Sequence, residues 1–436
     1  MNFFRPSFDP SCRDMRDESI PHPSATPTEV GVQYTSANLH EAMMDSVSSA
    51  RDSLPEQYRA HFETLRQEII DFTKAHGISR ESLGKPDLLR EVTDKLSIPD
   101  LERLADLLER FEYLLKNGEP KKEELPKHLQ EIERLYNLRE QYTSQVSLLE
   151  QVGILKEGVI TGVDGHEYPV PTLEQIAVRL FERRETLQTK RDQGFTKLLL
   201  VPFGMSLDTL CETLKRFLLS YKQRNSLFNI DKDVPLGAWK EERHEGVNIE
   251  DSIDLVYYPQ FLTKEGHGGK TKIEILEEQK YNRDSFPGWT IHLFQPSDPA
   301  NSDSKGFALI PRRGEGKVYG EEGLRFEIET GHSAPYYLAL LEEGRDDPDF
   351  IYSQESGMTP EDWIMAFMIH LEETGRPLDN WQNSKESISC LIGSFSVSDA
   401  KVPLTFWMRI GSKVLIGNEK PNEQNGLTGI RTSVLI

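Results

Sequence analysis

The sequence predicts an α+β chain in three parts: an N-terminal helical arm, a small α/β module and a C-terminal domain closed by its own last strand. Three observations carry this. Residues 39–152 are densely charged, with apolar residues at helical spacing. Near residue 153 the texture changes to short strands, turns and helices. The final stretch, "GIRTSVLI", is apolar where most chain ends are polar and frayed. The domain bounds that follow are 1–38, 39–152, 153–284 and 285–436.

Residues 1–38 contain "SIPHPSATPTEVG", which is too rich in Pro, Ser and Thr to build a core and is expected to be disordered. In the arm, "SIPDLERLADLLERFEYLLKNGEP" has Ser97 and Pro99 as a helix start and Asn117, Gly118 and Pro120 as a stop. Leu101, Leu104, Leu108, Phe111 and Leu115 form one seam. Leu125, Leu129, Ile132, Tyr136, Tyr142, Val146 and Leu149 repeat it, with Arg139 interrupting. A short turn between the two predicts an antiparallel helical hairpin, the expected place for homo-oligomerisation. In the module, "GVITGVDGHEYPV" reads as a hairpin about Asp164-Gly165. "FTKLLLVPF" is a buried strand, and a helix begins at Ser206. "SIDLVYYPQFL" and "KTKIEILEEQKY" read as paired strands, with further strands at "GWTIHLFQ" and "KGFALIP". The clearest helix follows Thr359 (N-cap) and Pro360, ends at Gly375 before Pro377, and carries Trp363, Ile364, Phe367, Met368 and Leu371 on one face.

Charge narrows the function. The net charge is -21 over 436 residues, which argues against nucleic acid as a partner, since phosphate contacts need a basic face. It argues equally against docking on an anionic membrane. Residues 380–436 depart from this, with six Lys or Arg against four Asp or Glu. No apolar run approaches a membrane span, so no membrane insertion is expected. The absence of a secretory pattern and the three scattered cysteines, Cys12, Cys211 and Cys390, lead to a cytoplasmic expectation without a disulfide framework.

Evidence for catalysis is thin. "GHGGKT" resembles a phosphate loop, but Lys264 stands where its first glycine belongs, and the strand pattern after it lacks the required helix. Asp164, His166 and Glu167 flank a turn where exposed polar residues belong. Cys211 shares a helix face with Leu207, Leu214 and Leu218 and reads as a small buried hydrophobe. His292 alternates with Ile291 and Leu293 along a strand, and no histidine pair has metal-site spacing. No catalytic residue, metal site or cofactor is expected.

The C-terminal region carries an ordered series. A helix "SGMTPEDWIMAFMIHLEETG" is followed by "DNW" and "SISCLIGSF". Val402-Pro403 then precede Phe406-Trp407, a polar loop holds Pro421 and Gly426, and "GIRTSVLI" closes the series. In this order the motifs resemble the variable proteins of diversity-generating retroelements, whose C-type-lectin-like domain is of the formylglycine-generating-enzyme type. The resemblance implies a buried last strand, paired in the centre of the domain. It also implies a non-enzymatic, solvent-facing binding surface between Trp407 and Gly429 for an unknown protein or surface ligand. The implied surface residues are Phe406, Met408, Ile410, Ser412, Lys413, Leu415, Gly417, Asn418, Lys420, Asn422, Gln424 and Asn425. Trp407, Gly429 and Arg431 match framework positions. Unlike most such surfaces, the stretch holds no Tyr. The alternatives are a structural or assembly protein, or a formylglycine-generating enzyme on the same fold. The enzyme, as the resemblance implies, needs two metal-binding cysteines where this region has Cys390 alone.

Overall fold

The computed structural model describes residues 51–52, 54–79, 96, 98–118, 125–126, 128–238, 240–241, 244–245, 255–282, 284–314, 328–344, 347, 350–381 and 386–436. The chain divides into two compact units, residues 1–123 and 124–436. The expectation for residues 1–38 lies outside the described residues. No helix among those described is long and apolar enough to cross a membrane.

In the first unit, α1 (Glu56–Ala75) packs on α2 (Ile98–Asn117). Phe62, Leu65 and Ile69 meet Leu104, Leu107, Phe111 and Leu114, with the Phe62 and Phe111 rings 5.1 Å apart. The seam is turned slightly from the expected one: Leu107 and Leu114 are buried, and Leu108 is half-buried. Leu125, Leu129, Ile132, Tyr136 and Leu149 of the following segment are buried in the core of the second unit. That segment is also two helices, α3 (Gln130–Leu135) and α4 (Leu138–Gln151), broken where Asn137 takes a φ of 43°.

The second unit continues with the hairpin β1 (Val159–Thr161) and β2 (Glu167–Pro169), paired as expected about the Asp164-Gly165 turn. Then come α5 (Leu173–Glu182), α6 (Gln188–Asp192), β3 (Lys197–Val201) and α7 (Leu207–Arg224), the last capped by Ser206. Short strands follow: β4 (Leu236–Ala238), β5 (Lys240–Glu241), β6 (His244–Glu245) and β7 (Leu255–Tyr257). Next are α8 (Lys272–Tyr281), β8 (Thr290–Phe294), α9 (Ala334–Glu343), β9 (Glu355–Gly357) and α10 (Pro360–Thr374). The chain closes with β10 (Ile388–Cys390), β11 (Ser394–Ser396), β12 (Val402–Met408), β13 (Lys413–Glu419), β14 (Thr428–Gly429) and β15 (Thr432–Leu435).

Two sheets organise this unit. One runs β3-β8-β15-β9, antiparallel throughout, so the last strand lies inside it. The other runs β14-β10-β12-β13-β4. The free edge of β3 is covered by side chains from α4. Gln141 donates to the Thr196 carbonyl (3.0 Å) and accepts from Leu198 N (3.0 Å), and Gln145 donates to the Leu198 carbonyl (2.7 Å) and accepts from Leu200 N (2.8 Å). Two glutamines four apart on a helix satisfy an edge that would otherwise be open to another strand.

α10 is the axis of this unit. The Thr359 capping box and the left-handed Gly375 end it as expected, yet residues 360–371 are buried on every side rather than along one stripe. Its carboxylates therefore have partners: Glu361 pairs with Lys272 (2.7 Å), Glu373 with Lys197 (2.6 Å), and Asp362 accepts from Thr359 N (2.8 Å).

The segment "KTKIEILEEQKY" forms α8, not a strand. Thr271 and Glu274 make a capping box, a local signal that outweighs the apolar alternation around Ile273. β7 pairs instead with β11, and Tyr258 turns the chain at a φ of 52°. A helix thus does follow "GHGGKT", but Lys270 is paired with Glu278 (2.6 Å) and Thr271 caps the helix. "KGFALIP" contributes one isolated bridge, Phe307 to Pro296, rather than a strand.

His370, on α10, accepts from Phe307 N through Nδ1 (3.1 Å) and so serves as a neutral ring. Burial, with the Arg431, Lys197 and Arg376 charges adding to it, holds its pKa down at about 3 against an ordinary 6.5. The stability it contributes is fully present above pH 6.5 and is lost as pH falls toward 3. His370→Gln keeps an acceptor without a titration. Its melting temperature is expected to fall less steeply than that of the parent chain over this range, and parallel pH profiles would refute the assignment.

Candidate binding surface

The short motifs of the C-terminal region meet at one buried carboxylate. Asp379, of "DNW", accepts from Arg431 Nη2 (2.6 Å) through Oδ1 and from Trp363 Nε1 (2.8 Å) through Oδ2. Its backbone carbonyl accepts from Trp407 N (3.1 Å), and Arg431 also donates to the Ala308 carbonyl. Asp379 is 2% exposed and Arg431 7%. Burial raises the Asp379 carboxyl pKa, while Arg431 and Trp363 oppose that rise. Residues spread over 69 positions of sequence, from Trp363 to Arg431, thus lock α10, the hairpin β12–β13 and the final segment together.

Both faces of that hairpin are used for packing. Trp407, Val414 and Ile416 enter the main core, with Trp407 against Phe228 (5.4 Å) and Phe367 (6.2 Å). On the opposite face, Phe406 sits across from Leu415 and both pack with Ile388, Trp381 and Met408. Phe406 (7% exposed), Leu415 (3%) and Gly417 are therefore buried, and the expectation that they face solvent is corrected. Alternation accounts for this: residues two apart share a face, and here neither face is left free. Met408, Ser412, Lys413 and Asn418 are half-buried, while Ile410 is 88% exposed and Lys420, Asn422, Gln424 and Asn425 are exposed.

The exposed candidates fall into two groups. The strands are seven residues each, so at about 3.3 Å per residue the groups lie roughly 20 Å apart. At the tip, Ser412 Oγ accepts from Asn229 (2.7 Å), and a hollow of about 550 Å³ is lined by Trp407, Arg409, Ser412, Asn229 and Asn380. At the far end, Pro421 and Asn422 border a groove of about 980 Å³ whose other walls are the 260–263 loop and α9. Nearby, burial pushes the Glu419 carboxyl up to about 7, with the Cys390 thiol lowering it and Glu423 adding to the rise. Burial also holds the Cys390 thiol well above its ordinary value, which keeps it in the protonated form.

Sequence reasoning missed a buried polar cluster at the start of α10. His292 Nδ1 lies 3.0 Å from Ser433 Oγ, its Nε2 lies 3.3 Å from Asp362 Oδ1, and Asp362 also accepts from Thr359 N (2.8 Å). Ser433, His292 and Asp362 are all fully buried. The cluster ties the final strand to α10. Beside it, Lys272 bridges Glu361 (2.7 Å) and the Met205 carbonyl (2.7 Å), and Tyr257 donates to Glu361 (2.7 Å). The available signal was the pair Glu361 and Asp362 at the start of a largely apolar helix, each of which needs a partner when buried. Among the described residues, no group of His, Cys, Asp and Glu could hold a metal ion.

No family model, no curated protein and no solved structure matches the chain.

Proposed function

We propose that the chain is a non-enzymatic ligand-binding protein whose C-terminal region has a C-type-lectin-like fold of the kind found in retroelement variable proteins. The observation that carries this reading is the convergence on Asp379. Helix, "DNW", aromatic-Trp strand and "GIR" motif form one buried frame, and β15 lies inside its sheet as the resemblance implies. A rigid frame of this kind lets exposed residues vary without loss of the fold. The exposed members of the surface, Ile410 at the tip and Lys420, Asn422, Gln424 and Asn425 on the loop, are the positions free to do so. Cys390 is buried and has no companion cysteine in this region, which speaks against formylglycine-type chemistry.

Ile410→Ser combined with Lys413→Ser tests the tip. Met408 is left alone because it packs on Phe406. The melting temperature should stay within about two degrees, as for most surface changes, while partners recovered by the intact chain are lost. An unchanged partner set would remove the tip from the binding surface. At the DNA level, a near-copy of the codons for residues 402–430 beside a reverse-transcriptase gene is expected, and its absence would count against diversification.

A further inference from the structure

The hollow at the hairpin tip differs in charge from the acidic chain around it. Of its described lining residues Arg409 alone is charged, and the polar ones include Asn225, Asn229 and Ser412, with Trp407 and Leu227 among the apolar ones. Its volume of about 550 Å³ falls in the usual range of ligand sites, about 300–1,000 Å³. Backbone and side-chain bonds clasp the hairpin to the preceding loop. Asp231 N donates to the Ser412 carbonyl (2.8 Å), Val414 N to the Pro235 carbonyl (3.0 Å) and Asn229 Nδ2 to Ser412 Oγ (2.7 Å). A site held in shape in this way loses little freedom on binding.

The carboxylates next to this lining are already engaged. Glu372 pairs with Arg224, Glu373 with Lys197 (2.6 Å) and Asp379 with Arg431 (2.6 Å). Glu386 accepts from Asn380 N (2.7 Å), and Asp231 accepts from the N–H groups of Asp233 and Val234 (3.0 Å each). Among the cations, Arg224 is held in its pair and Lys222 donates to the Ser226 carbonyl (2.6 Å). Lys232 and Asp233, adjacent on the loop, offset one another. Arg409 is exposed, and its guanidinium has no hydrogen bond or ion pair among the described residues. Arg376 and Lys413, each next to a lining residue in the sequence, add to its positive charge. A guanidinium fork matches a carboxylate. The side-chain amides of Asn225 and Asn229 each offer a donor and an acceptor, as a peptide group needs, and Leu227, 98% exposed, offers an apolar contact at the rim.

We propose that the tip hollow binds an acidic segment of a partner protein, with an Asp or Glu carboxylate on Arg409, the adjoining peptide groups on Asn225 and Asn229, and an apolar neighbour against Leu227. The proposal rests on the reading of the tip as a binding surface and names the chemistry of its partner.

The test uses the full chain and two fluorescein-labelled peptides, GLEFG and GLQFG, followed by fluorescence anisotropy. GLEFG is expected to bind saturably, against the general repulsion from a chain of net charge -21. GLQFG has the same shape without the charge and should bind about tenfold or more weakly, as loss of a hydrogen bond between charged groups implies. Arg409→Gln should weaken GLEFG binding by the same factor and leave GLQFG binding unchanged, while Leu227→Ser should weaken both. Both substitutions are at exposed sites, and an unchanged melting temperature shows that the fold survives. No saturable binding of GLEFG, equal binding of the two peptides, or GLEFG binding that Arg409→Gln leaves intact overturns the proposal. The tip as a binding surface is judged separately, by the partners lost with Ile410→Ser and Lys413→Ser: their loss without GLEFG binding sinks the acidic segment alone.

Discussion

Asp379→Asn should lower the melting temperature by about 10 °C, among the largest effects expected of any single substitution in this chain. The side chain keeps its shape, and Asn tolerates the left-handed backbone at this position, where φ is 55°. What changes is the charge. Arg431 stays buried, 6% exposed at its side chain, with its carboxylate partner neutralised. Removing one partner of a buried pair costs about 3–5 kcal/mol, and in a large domain each kcal/mol shifts the midpoint by about 2–4 °C. Arg431→Met measured alone and with Asp379→Asn completes a double-mutant cycle. The double variant should lose less than the sum of the singles, because neither charge is left stranded. Additive losses would show that the pair is not coupled, and an unchanged melting temperature for Asp379→Asn would remove the carboxylate from the frame.

Deletion of residues 429–436 should abolish cooperative folding of the second unit. Ile430 (1% exposed), Val434 (0%) and Ile436 (7%) are buried, at about 1.5–3 kcal/mol each for aliphatic side chains. Their sum of roughly 5–9 kcal/mol is comparable to the whole stability of a typical domain, about 5–15 kcal/mol. The deletion also removes Arg431 from Asp379, Ser433 from His292, and the strand between β8 and β9. Val434→Asp places a charge in the same sheet without shortening the chain and should act in the same direction. Near-ultraviolet circular dichroism and a thermal melt report the outcome. A truncated chain that melts like the intact one would mean that the final strand does not hold the sheet.

The sequence by itself determined the elements whose signals are local. Ser206 and Thr359 start helices because their hydroxyls accept from backbone N–H groups three residues on, and Gly375 stops one because it enters the left-handed region without strain. The Asp164-Gly165 turn set the register of β1 and β2, and the apolar final stretch announced a buried strand. "KTKIEILEEQKY" was equally local, and its Thr-x-x-Glu capping signature was there to be weighed against the alternation. Tertiary structure alone decided which cores the elements joined. Leu125–Leu149 could pack with any apolar face, and went to the second unit, where Gln141 and Gln145 cover the edge of β3. The binding surface was legible only in part for the same reason. Alternation shows that Phe406 and Leu415 share one face of a strand pair, but burial of that face depends on Ile388 and Trp381, which come from elsewhere in the chain. Hydrogen bonds of caps and turns are closed within a few residues and can be read from spacing. Burial of a second face, and pairing of Asp379 with Arg431 across 52 residues, are settled by long-range packing.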